Sequence, residues 1–363
     1  MQPSVIYIER EVAELSYTRL ILENFADTKK ELIDDVRTLI KQHKKTNTIK
    51  KTPALVLAKQ RGRFLEKCPG TKEHICCNYF TLNIAVGCPF DCTYCFLQSY
   101  SNNPYYTIYT NLDDMLIEIR SKAKGRIRIG TGEFTDSLAL EAYTMFAAIY
   151  AEQICAISSD ITLELKTKFC PPLSERSRGQ ADTSTSLSVR GFQKQIVFAW
   201  SVNPQNIIDS DERYTASLTD RIQAAKTAAE HGYRVALHFD PIIYNVAWQE
   251  EYQTVLDLIQ KNIPPEKIAW ISLGTLRFTP SLKPIIEQKF PDSTIVYGEL
   301  FPGKDKKMRY PEPIRVKIYQ HMLRQIAVIS PHIPVYLCME SPEVWQKVYG
   351  KYPSEIENLK ELF

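Results

Sequence analysis

Three cysteines stand close together in AVGCPFDCTYCFLQ, at Cys88, Cys92 and Cys95, a C-x3-C-x2-C spacing. Thiolates this near in sequence can converge on one soft metal centre, and sulfur is the ligand that zinc and iron–sulfur clusters take. A structural zinc site closes its tetrahedron with a fourth Cys or His. None follows within the next forty residues. A [4Fe–4S] cluster on three cysteines instead leaves one iron open to a ligand from outside the chain. TLNIAVG ahead of the motif reads as a buried strand, and Gly87, Pro89 and Asp91 keep the cysteines in an irregular loop. Tyr94 and Phe96 flank the last cysteine, placed to shield a cluster or to stack on a nucleoside. Three unrelated buried cysteines are the competing explanation. The strand–loop setting together with this spacing favours the cluster.

Composition narrows the rest. A chain of 363 residues, 44% hydrophobic and 24% charged, suits a globular enzyme with ample core. The net charge of +3 is too small to indicate nucleic acid by itself. Nine cysteines, an odd number, argue against a disulfide framework. The start, MQPSVIYIEREV, has no apolar core of a signal peptide, and no apolar run approaches a membrane span. The expectation is a cytoplasmic protein with no membrane partner.

The elements that must position the cysteines follow from periodicity. Residues 1–75 read as an N-terminal helical extension, with a helix through KKELIDDVRTLIKQHKK after Thr28. The basic runs Lys41–Lys51 and Lys59–Lys67 read as a solvated face. From Tyr79 the chain alternates strands and helices. The strands are expected at Tyr79–Gly87, Arg126–Gly132, Ile161–Lys168, Ile196–Val202, Arg234–Asp240, Ile268–Leu273, Thr294–Glu299 and Val335–Met339. Helices between them include Leu112–Ala123, Leu138–Gln153, Thr219–His231, Glu250–Lys261 and Pro313–Ile329. This alternation predicts an α/β fold, a partial or full (β/α) barrel over 76–345 with a C-terminal tail over 346–363. Chemistry in such a barrel sits at the C-terminal strand ends. Polar residues gather there: Glu133, Thr135 and Asp136; Lys166 and Lys168; Ser201 and Asn203; His238 and Asp240; Thr275 and Arg277. Cys170–Lys194, rich in Ser, Thr, Gly and Arg, reads as a long loop, either a lid or a surface insertion.

The cysteine motif is that of the radical S-adenosylmethionine (SAM) superfamily. Beyond it, the chain resembles spore photoproduct lyase through NIAVGCPFDCTYCFLQ, PYYTIYTNLDDML, FTDS, LKTKF, SVN, SLTDRIQAAKTAAEHGY, HFDPIIY and KKMRYPEPIRVKIYQ. The resemblance implies that SAM chelates the open iron and is split reductively to a 5′-deoxyadenosyl radical. That radical takes a hydrogen from a thymine–thymine crosslink in DNA, the crosslink fragments, and a hydrogen atom returns to the product. It also implies bases splayed from the stack into the barrel mouth, with an electron donor such as a flavodoxin or ferredoxin.

By position, Cys88, Cys92 and Cys95 match the cluster ligands, and Lys168 and Ser201 match residues at the SAM site. Thr135 and Asp136 sit in the corresponding stretch, with Asn203 and His238 on neighbouring strand ends. Arg309 and Tyr310 fall in the substrate-side tail. Glu133 resembles the acidic residue that holds the SAM amino group in many radical SAM enzymes. Two departures stand out. Glu133 occupies the place of the lyase's hydrogen-donating cysteine, and a carboxylic O–H is a poor hydrogen-atom donor. Phe96 replaces the tyrosine after the third cluster cysteine, while Tyr94 remains. Cys338, in VYLCME at the end of the last strand, is the candidate replacement donor, weighed against a buried packing role. The same departures keep open a radical SAM enzyme with another nucleotide or small-molecule substrate.

Overall fold

The computed structural model describes residues 3–45, 54–70, 73–170 and 192–363. Most of the Cys170–Lys194 loop and the end of the first basic run, Lys50 and Lys51 included, lie outside the described residues.

Seven parallel strands lie side by side in chain order: β1 (Tyr79–Leu82), β2 (Ile127–Gly130), β3 (Ile161–Thr167), β4 (Ile196–Ser201), β5 (Arg234–Ile242), β6 (Ile268–Thr275) and β7 (Val335–Leu337). Leu65–Lys67 adds antiparallel to β1 at one edge, and β7 ends the other, so the sheet is a partial barrel. Its curl is visible in contacts that skip strands. The Arg128 guanidinium of β2 lies 4.8 Å from the Trp270 ring centre on β6 and 5.2 Å from that of Tyr336 on β7. Glu164 of β3 reaches His238 of β5. Every residue of β4 and β6 is buried, as parallel strands covered on both faces require.

Side chains on these strands alternate between the outer helices and the concave interior. On β3, Leu163 and Leu165 are fully buried on the outer side. Glu164 and Lys166 share the inner side with Lys168, just past the strand end. Close approach there demands small residues. A Cβ on Gly130 would fall 1.7 Å from the Tyr79 hydroxyl, which crosses β2 at that point.

The N-terminal segment differs from expectation. It is not a helical extension but carries three parallel strands, Val5–Glu9, Lys29–Ile33 and Ala54–Ala58. Tyr106–Tyr109 and Ala85–Val86 extend them to a five-stranded sheet. Lys29–Ile33 was expected in a helix because Leu32, Val36 and Leu39 fit a helical stripe. Pairing with Val5–Glu9 satisfies its backbone instead, and the helix begins at Val36. Its first turn is set by the Asp35 carboxylate, which accepts from Arg37 N at 2.6 Å, and by buried Glu9, which accepts from Val36 N at 2.9 Å.

Three further expectations are corrected. Tyr79–Gly87 breaks after Leu82, so its second half, Ala85–Val86, pairs with Tyr106–Tyr109 in the other sheet. Leu138–Gln153 breaks at Met145, which adopts φ 49°, into Glu141–Thr144 and Phe146–Cys155. Thr294–Glu299 forms turns, its buried Ile295 and Val296 plugging the core without joining a sheet. Among the described residues no helix is long and apolar enough to cross a membrane.

The break at Met145 leaves a helix start that Glu141 fills, accepting from Ala147 N at 3.0 Å and Ala148 N at 3.1 Å. Burial dominates over those bonds and raises its carboxyl to about 7 from 4.5. The folded protein therefore holds a proton that the unfolded chain has released, so stability falls as pH rises from 4.5 to 7. Glu141→Gln should flatten that slope, measured as urea midpoints at pH 5, 6, 7 and 8.

Candidate active site

The cysteine loop is fastened to the rest of the barrel by Asp211–Arg213, which follows β4. Cys92 and Glu212 pair antiparallel. Thr93 N donates to the Asp211 carbonyl at 2.9 Å, and its hydroxyl to the Asp211 carboxylate at 2.6 Å. The Ser293 hydroxyl donates to the same carboxylate oxygen at 2.5 Å.

At the centre of this seam lies the Glu212 side chain, fully buried. Its Oε1 accepts from Lys168 Nζ at 2.9 Å, from Asn203 Nδ2 at 2.8 Å and from the Tyr94 hydroxyl. Its Oε2 lies 2.7 Å from Arg221 Nη2. Lys168 also donates to the Tyr94 oxygen at 2.9 Å. Burial opposes the Glu212 charge, but Lys168 and Arg221 outweigh it and hold the carboxyl far below its ordinary range. Arg221 is itself spent, donating to the Ser201 carbonyl at 2.9 Å and to Ala216 O at 2.9 Å.

Several expected residues converge here. Tyr94, Lys168, Ser201 and Asn203 meet around Glu212, and Asn203 is fixed further by the Tyr252 hydroxyl at 2.8 Å. Asp136 ties the loop after β2 to the end of β3. Its oxygens accept from Thr167 Oγ1 at 2.6 Å, Lys168 N at 2.7 Å, Leu138 N at 3.0 Å and Ala139 N at 2.9 Å. Thr135 beside it is buried. His238 lies deeper, its Nδ1 2.6 Å from the Ser272 hydroxyl and its Nε2 2.7 Å from Glu164. Arg309 and Tyr310 are built into the fold: Arg309 grips Asp305 and the Met339 carbonyl, and the Tyr310 hydroxyl accepts from Tyr244 N.

A second polar group occupies the interior beside β5, β6 and β7. Arg277 binds Asp240 through two bonds of 2.8 and 3.1 Å and lies 3.6 Å from the Cys338 sulfur. Burial first, and then the Asp240 charge, push the Cys338 thiol up, so it stays S–H at neutral pH. Glu133 has Lys166, Arg277, Asp240 and Lys307 as its charged surroundings, and burial raises its carboxyl. Cys77, at the start of β1, accepts from Arg128 Nη2 at 2.7 Å, and Cys155 is packed in its helix.

Sequence reasoning missed Glu212 and Arg221. Glu212 sits in a polar run, DSDERY, that looks like surface. Arg221 left a trace, because it shares the buried stripe of its helix with Leu218, Ile222 and Ala225.

The chemistry of the loop fits an iron–sulfur cluster. Cys88, Cys92 and Cys95 form no disulfide and lie within electrostatic reach of one another. They are not gathered to one point: among the described residues no three Cys, His, Asp or Glu side chains are close enough together to hold an ion. Phe96, Phe134 and Tyr100 flank the last cysteine, with ring centres 5.8 to 6.3 Å apart.

This is a partial barrel of the radical SAM type, with its three cysteines on the loop after the first strand. The family model for spore photoproduct lyase matches residues 1–325, and the chain belongs to that family. It is 27% identical over 221 residues to a spore photoproduct lyase of Clostridium acetobutylicum, covering 60% of this chain and 62% of that one. To the Bacillus subtilis spore photoproduct lyase it is 24% identical over 234 residues, covering 61% and 63%. These matches span less than two thirds of each relative. The fold agrees with a spore photoproduct lyase structure complexed with dinucleoside spore photoproduct, at TM-score 0.73, 19% identity, and coverage of 92% and 98%. A mutant with bound AdoMet and the same dinucleoside matches at TM-score 0.71, 20% identity, and coverage of 93% and 98%.

Removing the Glu212 carboxylate strands two buried cations. Glu212→Ala should cost about 3–5 kcal/mol of stability, seen as a lower urea midpoint, and should lower the iron bound per chain after anaerobic reconstitution. Glu212→Gln, which keeps an acceptor oxygen, should lose less of both.

Proposed function

We propose that the protein is a radical SAM carbon–carbon lyase that repairs thymine photolesions of the spore photoproduct kind in DNA. The observation that carries this reading is the three-thiol loop, latched to the mouth of a partial barrel, in a chain of the spore photoproduct lyase family. Cys88, Cys92 and Cys95 would hold a [4Fe–4S] cluster, with no fourth Cys or His in their loop. Lys168 and Ser201, framed by Thr135, Asp136, Asn203 and His238, would flank SAM. Together the cluster and SAM supply a strong hydrogen-abstracting radical when bound and reduced.

The chain's own residues then have defined tasks. Glu212 sets the height of the cysteine loop and fixes the Lys168 ammonium and the Tyr94 hydroxyl beside it. The barrel walls keep water from the interior. Cys338 holds an S–H inside that interior, tethered by Arg277 and Asp240, and is the group proposed to return a hydrogen atom to the product. Tyr94, its O–H held on the Glu212 carboxylate beside the cysteine loop, is the second residue proposed to take part in the hydrogen return. A flavodoxin or ferredoxin is the proposed electron source, and lysine and arginine contacts to phosphate would carry DNA affinity. The charged interior around Lys166, His238, Asp240 and Arg277 favours, as a second reading, a more polar nucleotide substrate on the same scaffold.

The test is anaerobic incubation of reconstituted, reduced protein with SAM and a dinucleoside spore photoproduct. The expected result is 5′-deoxyadenosine together with thymine recovery. Cys338→Ala should depress thymine recovery by tenfold or more relative to 5′-deoxyadenosine formed. Recovery at the wild-type ratio would remove Cys338 as donor, and 5′-deoxyadenosine without any lesion turnover would favour the second reading.

A further inference from the structure

Most charges inside the barrel are matched. Asp240 holds Arg277, Glu164 meets His238 and Arg128, Glu212 takes Lys168 and Arg221, and Lys307 lies beside Asp305. Glu133 and Lys166 are different. Glu133 lies in the loop just past the end of β2 and Lys166 near the end of β3, and both are half-buried. The Lys166 charge reaches Glu133, yet neither side chain makes a hydrogen bond or ion pair with a described residue.

The charged groups near Cys88 and Cys92 are Asp136, Lys168, Glu212 and Arg221. Glu133 appears instead among the surroundings of Cys68 and Tyr79, and is itself surrounded by Lys166, Arg277 and Asp240. Glu133 thus shares its surroundings with the Arg277–Asp240 pair that lies against Cys338. Gly132 next to it lets β2 approach β3 closely, since a Cβ there would sit 3.2 Å from Lys166 Cβ.

A half-buried carboxylate and a half-buried ammonium that do not pair with each other are left wanting partners, and such groups are costly unless something satisfies them. The carboxylate asks for an N–H and the ammonium for a carbonyl oxygen. A neutral group offering both side by side meets the need, and the imide edge of a thymine ring does so through N3–H and its adjoining carbonyl. We propose that Glu133 and Lys166 are specificity-determining residues that read the imide edge of a thymine-type base, Glu133 accepting from N3–H and Lys166 donating to the carbonyl. This assignment rests on the proposed lesion substrate. It gives the glutamate a task in recognition in place of the SAM amino-group role its resemblance suggested, at a position where the spore photoproduct lyases have a hydrogen-donating cysteine.

The experiment compares binding of dinucleoside spore photoproduct and its N3-methylated counterpart to unreduced, reconstituted protein with SAM, by anaerobic calorimetry. Methylation at N3 of each ring in turn removes that ring's N–H and adds a methyl group to its edge, and the Glu133→Ala comparison separates the lost bond from the added bulk. Wild-type protein should lose tenfold or more in affinity on methylation, since a hydrogen bond to a charged group is worth about 1.5–3 kcal/mol and 1.4 kcal/mol is tenfold. Glu133→Ala should bind both forms equally and weakly, while Glu133→Gln should keep part of the discrimination. Lys166→Met should weaken binding about tenfold, with Lys166→Arg restoring it. Wild-type protein that binds and repairs the lesion yet ignores methylation overturns the assignment alone, as does discrimination undiminished in Glu133→Ala. Wild-type protein that binds neither form overturns the lesion reading and the assignment with it.

Discussion

The buried carboxylate of Glu212 is the constraint on which the site depends. A lone ionised carboxylate cannot persist in a barrel wall. Glu212 persists because Lys168 and Arg221 bring two positive charges to it, and Tyr94 and Asn203 donate to its Oε1. Those partners come from the ends of β3 and β4, from the helix after β4, and from the cysteine loop itself. One anion thus ties the ends of β3 and β4 and that helix to the cysteine loop. Antiparallel pairing of Glu212 with Cys92 converts that electrostatic knot into backbone registration of the loop. A buried cluster of this kind is a weak source of net stability, and its contribution here is to hold the cysteine loop in register with the residues after β4.

The barrel then separates two environments. Toward the cysteine loop, the charges are consumed by one another and by backbone amides, as with Asp136 and its four donors. Toward β5, β6 and β7, the interior stays charged and partly unsatisfied, with a tethered thiol among the charges. A rigid rim beside a receptive interior suits chemistry in which a reactive group generated at the rim acts on a guest held below it. Arg128 forms the floor, stacked among Tyr79, Trp270 and Tyr336.

The sequence made the cysteine loop and the barrel strands legible for a physical reason. The strands are nearly continuous apolar runs because both of their faces are covered, and the cysteine spacing has few competing explanations. Tyr94, Lys168, Ser201 and Asn203 were also within reach, since each lies at a fixed offset from a strand end. The N-terminal sheet was not, because Lys29–Ile33 is an exposed edge whose pattern fits a helix as well as a strand, and only its partner Val5–Glu9 decides. Thr294–Glu299 misled for the opposite reason: a short apolar run fills a core gap without pairing. Glu212 was invisible because its importance comes from four partners, two of which, Tyr94 and Lys168, lie far along the chain. Ordinary polar residues become a latch only after folding.

The central claim is that Cys88, Cys92 and Cys95, held at the rim by this latch, bind a cluster with one iron left for SAM. Electron paramagnetic resonance of the reconstituted, reduced protein, recorded before and after addition of SAM, addresses it directly. The account predicts a reduced [4Fe–4S] signal whose shape and g-values change when SAM is added. A signal indifferent to SAM, or a cluster that still assembles when Cys88, Cys92 and Cys95 are all replaced by alanine, would contradict it.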